Sequence, residues 1–84
     1  MIQNLKETDY YRTSDLPLAS TLLAEGYVIE AIEKSGTRAI FLIKRDHTLD
    51  DLVQLYFTRQ LRVEPQALLD CVKSLKTRIY SLGQ

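Results

Sequence analysis

His47 is the only side chain here whose ordinary pKa lies near neutrality, and it stands between Asp46 and Thr48, just ahead of a helix-spaced apolar run. General acid or base chemistry would need a partner at a fixed spacing. No serine, cysteine or carboxylate pair is tied to it by position, and the helix dipole opposes a cationic imidazole at a helix N-terminus, so His47 reads as a loop residue. Cys71 has no basic neighbour and lies beside an apolar stripe, which suits a structural thiol better than a nucleophile. Asp50 and Asp51 could serve an acid/base pair or a divalent ion. They fall instead in a first helical turn, where negative charge is stabilised, and the segment offers too few converging oxygens for a metal. One cysteine with one histidine cannot complete a Cys/His zinc site, and Gly26, Gly36 and Gly83 cannot spell a phosphate-binding loop. The expectation is a non-enzymatic chain with no catalytic residue, cofactor, metal or small-molecule substrate.

Charge points to surfaces rather than to reactions. Eleven Lys and Arg balance eleven Asp and Glu, so bulk attraction to nucleic acid or to an anionic membrane is not expected. The balance is uneven along the chain: residues 1–36 carry three cations against six anions, and residues 55–84 carry five against two. Arg59, Arg62, Lys73, Lys76 and Arg78 are therefore the candidate contacts to nucleic acid or to an acidic partner. The alternative is a set of solvated helix faces, with Lys73 and Lys76 on one face and Arg78 on another. Phe41, Tyr56 and Phe57 stand where a core needs them rather than on a base-stacking platform.

The elements that position these residues follow from hydrophobic period and from a few stop and start signals. A chain of 84 residues makes one domain, here 10–84 behind a loose N-terminal arm over 1–9. Tyr10 to Arg12 read as a short strand. Ser14 or Asp15 can cap the helix that follows, Pro17 suits its first turn, and Gly26 ends it. Residues 27–33 and 38–44 are two apolar strands joined at Ser35-Gly36, a two-residue hairpin signal that sets Glu33 opposite Arg38, Ala31 opposite Ile40 and Ile29 opposite Leu42. Both hairpin faces are largely apolar, so each needs cover. Val28, Ile32, Phe41 and Ile43, on the second face, are the candidate self-association surface.

Thr48 with Asp51 resembles a capping box, and the helix it opens places Leu49, Leu52, Val53, Tyr56 and Phe57 on one stripe. Leu61 to Val63 could add a short strand before Pro65, after which Leu68, Val72, Leu75 and Ile79 mark a last helix to about Tyr80. The expected fold is α+β, in the order β-α-β-β-α-(β)-α, with a central antiparallel hairpin packed by helices. The longest apolar run, Ala39 to Ile43, is far short of a membrane span, and the first residues are polar, so a cytoplasmic location is expected.

Taken together, Tyr11-Arg12-Thr13-Ser14-Asp15-Leu16, Leu22-Leu23-Ala24-x-Gly26, Val63-Glu64-Pro65 and Leu75-Lys76-Thr77-Arg78-Ile79-Tyr80-Ser81 resemble a family of small bacterial and phage domains of unknown function. The resemblance spans about Tyr10 to Ser81. It implies a compact α+β domain in a phage or mobile-element setting and carries over no catalytic residue; Glu64 departs from the aspartate expected before the proline. The opening block is also similar to that of small winged-helix proteins of the excisionase kind. A long hairpin follows the helix directly, which leaves no recognition helix. The functional expectation is an interaction module, a dimer or other homo-oligomer that binds a protein or nucleoprotein partner, with direct nucleic-acid binding as the alternative.

Overall fold

Short stop and start signals set the order of elements. The computed structural model describes residues 9–82. The chain runs β1 (Tyr10–Thr13), α1 (Leu16–Ala24), β2 (Ile29–Ser35), β3 (Arg38–Lys44), α2 (Leu49–Phe57) and α3 (Pro65–Leu82). The strands form one antiparallel sheet in the order β1-β3-β2, so this is an α+β fold. All but one residue of the expected arm over 1–9 lies outside the described residues; Asp9 stands just before β1, its carbonyl accepting the Arg45 N–H at 2.9 Å.

At the start of α1 the choice between Ser14 and Asp15 falls to Asp15, whose Oδ1 accepts the Leu18 N–H at 3.0 Å. Ser14 is used elsewhere, accepting from the Arg38 guanidinium at 2.6 Å. Gly26 closes the helix at φ +102°. The Gly26 N–H bonds the Leu23 carbonyl and the Tyr27 N–H the Leu22 carbonyl, both at 3.0 Å, which is the paired bonding of a Schellman motif.

The hairpin forms one step further along than Ser35-Gly36 predicts. Ser35 pairs with Arg38, leaving Gly36 and Thr37 as the loop. The reason is conformational: the first loop position of such a turn requires positive φ, and Gly36 takes it at +63° where serine would be strained. Glu33 consequently faces Ile40, and Ala31 faces Leu42. A bulge between Ile29 and Ala31 shifts Ile29 opposite Ile43 and onto their face of the sheet.

Thr48 does not cap α2. Its backbone is already helical, and Asp46 Oδ1 instead accepts the N–H groups of Thr48 and Leu49, each at 3.0 Å. Residues 61–63 are not a strand. After α2 the N–H groups of Gln60 and Leu61 both turn back to the Leu55 carbonyl, which commits this backbone to the helix end rather than to a ladder. Glu64 caps α3 fully despite its extra methylene, its carboxylate accepting the Ala67 N–H at 2.7 Å and the Gln66 N–H at 3.2 Å. The helix continues past Tyr80 to Leu82.

One core holds these pieces together. Leu18, Ala19 and Leu22 of α1, Ile29, Phe41 and Ile43 of the sheet, Leu49 of α2 and Leu75 of α3 form a single buried cluster. Helix α1 packs on β1 and on both other helices, so it joins the layers. Burying each large member contributes about 1.5–3 kcal/mol. No helix among the described residues is long and apolar enough to cross a membrane.

Candidate functional site

Strand alternation and the observed register divide the sheet into two unlike faces. Tyr11, Thr13, Ile29, Ile32, Phe41 and Ile43 point to the helices, with Phe41 and Ile43 fully buried. The expected self-association surface of Val28, Ile32, Phe41 and Ile43 is thereby corrected. Phe41 and Ile43 are core residues, Ile32 packs against that core, and Val28, in the loop before β2, is exposed. The chain's own helices cover the face that carries Phe41, Ile43, Ile29 and Ile32, which is free of charged side chains at these positions, whereas the other face includes Arg12, Glu33 and Lys44.

The other face carries Tyr10 and Arg12 from β1, Ile40, Leu42 and Lys44 from β3, and Ala31 and Glu33 from β2. None of its apolar members belongs to the core cluster or packs against it. Arg12 Nη2 donates to Glu33 Oε1 at 2.8 Å, an ion pair that ties the two outer strands across β3. Both partners are about half exposed, so this pair adds little to stability. It leaves an apolar centre of Leu42, Ile40 and Ala31 framed by a cation on the β1 side and an anion on the β2 side. Hairpin alternation already sets Ala31, Ile40 and Leu42 on a common face, but strand pattern alone does not say which face the helices take.

Of the polar residues that first suggested chemistry, Asp50 has a structural partner, and Asp46 beside His47 is built into a local network. Around a shallow depression of about 430 Å³ lined by Glu25, Gly26, Tyr27, Asp46, Thr48 and Leu52, the Tyr27 hydroxyl donates to Asp46 Oδ1 at 2.7 Å. The Thr48 hydroxyl donates to the same oxygen at 2.9 Å. The Tyr27 hydrogen bond, reinforced by those from Thr48 and Leu49, holds the Asp46 carboxyl below its ordinary pKa, while burial pushes the Tyr27 phenol up. This network caps α2 and fastens the α1–β2 loop to it. His47 is exposed, Cys71 is half-buried, and Asp50 pairs with Arg45 Nε at 3.4 Å. Among the described residues no three His, Cys, Asp or Glu side chains are grouped to hold a metal ion.

The five candidate cations fall in three places. Arg78 reaches back from α3 toward the Ile29 carbonyl at 3.5 Å, over the β2 edge. Lys73 and Lys76 lie on the exposed side of α3, opposite Leu75, whereas Arg59 and Arg62 occupy the turn between α2 and α3. Arg62 Nη1 donates to the Arg59 carbonyl at 3.4 Å. Leu69 and Tyr80 flank the two lysines at helical spacing, 58% and 70% exposed.

A protein-family model described as Domain of unknown function (DUF5659) matches residues 8–81. No curated protein and no solved structure matches the chain.

Proposed function

We infer that this chain, which belongs to the Domain of unknown function (DUF5659) family, is a non-enzymatic interaction module that pairs with a second copy of itself through the open face of its sheet. The observation that carries this reading is the division of the sheet: three helices share one core on one face, and the apolar centre of the other stays outside it. A sheet that is apolar on both faces and, among the described residues, covered by helices on one has reason to stack against another sheet, at a spacing of roughly 10 Å.

The charge layout favours a copy of this chain over an unrelated surface. A two-fold axis along the strands lays β1 of one copy over β2 of the other, so Arg12 approaches the partner's anionic side and Glu33 its cationic side. An isologous interface needs this self-complementarity. A phage or mobile-element setting, as the family resemblance implies, would suit a small assembly factor of this kind. Leu42→Glu places a charge at the centre of the face without touching the core. It is expected to convert a dimer to a monomer in sedimentation velocity while the circular dichroism spectrum is unchanged. A Leu42→Glu chain that associates as the parent does would refute the assignment of this face.

A further inference from the structure

Two helices of this chain end in the same backbone motif, with different residues at its left-handed position. After α1 the position is Gly26, the residue that adopts positive φ without steric cost. After α2 it is Arg59 at φ 65°, with the Arg59 N–H on the Tyr56 carbonyl at 3.1 Å and the Gln60 N–H on the Leu55 carbonyl at 2.8 Å. A glycine would serve the turn better. A strained backbone position occupied by a long cationic side chain is a sign that the side chain itself has a use.

What surrounds Arg59 tells which use. Arg62 is exposed three residues on, and Lys73 and Lys76 stand on the outer side of α3 between exposed Leu69 and Tyr80. None of these four cations forms an ion pair among the described residues. Of the acids nearest them in sequence, Glu64 has both carboxylate oxygens committed to the amides of Gln66 and Ala67, and exposed Asp70 stands one turn before Lys73, with which it lines a shallow groove. The larger group of anions lies at the other end of α2: Asp50 and Asp51 stand in its first turn, and Glu25 and Asp46 line the depression beside it. Since α2 is 9 residues long, its two ends lie about 13 Å apart, and the chain's charge asymmetry survives folding as a local field despite the zero total.

We propose that Arg59, Arg62, Lys73 and Lys76, with Tyr80 beside them, form a docking surface for the phosphate backbone of a nucleic acid. Unpaired cations spread over a turn and a helix flank suit a ligand whose charges repeat along a line, and an exposed tyrosine offers a ring for a base to stack on. The surface is separate from the open sheet face, so each stands or falls without the other.

The test uses the full chain and fluorescein-labelled 20-nucleotide random-sequence DNA, single-stranded and duplex, in fluorescence anisotropy from 50 to 200 mM salt. At least one probe is expected to bind at 50 mM salt, and duplex binding would show a log–log salt slope of roughly −3 to −4 for four phosphate contacts. Lys73→Ala with Lys76→Ala should weaken binding at least tenfold and halve that slope. Arg59→Gly should raise the melting temperature and yet weaken binding several-fold, a pairing that a merely structural role for Arg59 would not produce. Absence of binding to both probes, binding unchanged by the lysine substitutions, or binding only to poly-L-glutamate as an acidic-protein surrogate would overturn the proposal.

Discussion

At Asp46 a single carboxylate oxygen receives the amides of Thr48 and Leu49 and the hydroxyls of Tyr27 and Thr48. These donors favour the ionised form, so the folded-state pKa lies below the unfolded value of about 3.9. The stabilisation is present above that unfolded value and is lost as pH falls through the folded one. Acidification below about pH 4 should destabilise the parent chain more steeply than Asp46→Asn, which keeps a capping oxygen and cannot titrate. Tyr27→Phe removes the largest cause, and carboxyl NMR titration should show the Asp46 pKa returning toward its ordinary value. At Ser20, fully buried in α1, the hydroxyl has no hydrogen-bond partner among the described residues. Ser20→Ala relieves that unmet group and improves helix propensity, so chemical denaturation should show it more stable by about 0.5–1 kcal/mol. Asp15, Pro17 and Gly26 were legible as helix signals because their partners are one turn away in sequence. Asp46 was not legible as a cap, because the loop conformation and the Tyr27 hydroxyl that complete its role come from tertiary structure.

Among the elements, α3 has the most to lose from a single substitution. It is 18 residues long, and Leu75 is its one fully buried side chain, reaching the cluster that α1 and the sheet share. Leu75→Ala should cost about 2–5 kcal/mol in urea denaturation, a large part of the stability of a domain this small. The periodicity of Leu68, Val72, Leu75 and Ile79 announced this helix, and that of Leu49 to Tyr56 announced α2. Hairpin register was harder, because Ser35-Gly36 and Gly36-Thr37 both offer a two-residue loop, and only the need for positive φ at the first position selects the second. The bulge at Glu30 left no mark in the apolar pattern. It moves Ile29 from the open face to the core face, and with it the boundary of the surface that remains uncovered.

For the whole molecule, the layout is a three-stranded sheet with its helices on one side, anions gathered at the start of α2 and cations at its end and along α3. The sequence already carried the charge asymmetry and the two apolar hairpin faces. Which face would stay open depended on the choice α1, α2 and α3 make in packing, and they take the face of Phe41 and Ile43 rather than the one that carries Arg12, Glu33 and Lys44. Self-association through Tyr10, Ala31, Ile40 and Leu42 is the central claim. The most direct measurement is multi-angle light scattering of the parent chain over a concentration series reaching hundreds of micromolar. Pairing through this face predicts a mass rising to twice the 9.7 kDa of one chain, and Leu42→Glu remaining at the single-chain mass throughout. A parent chain that stays at the single-chain mass at every concentration would contradict it.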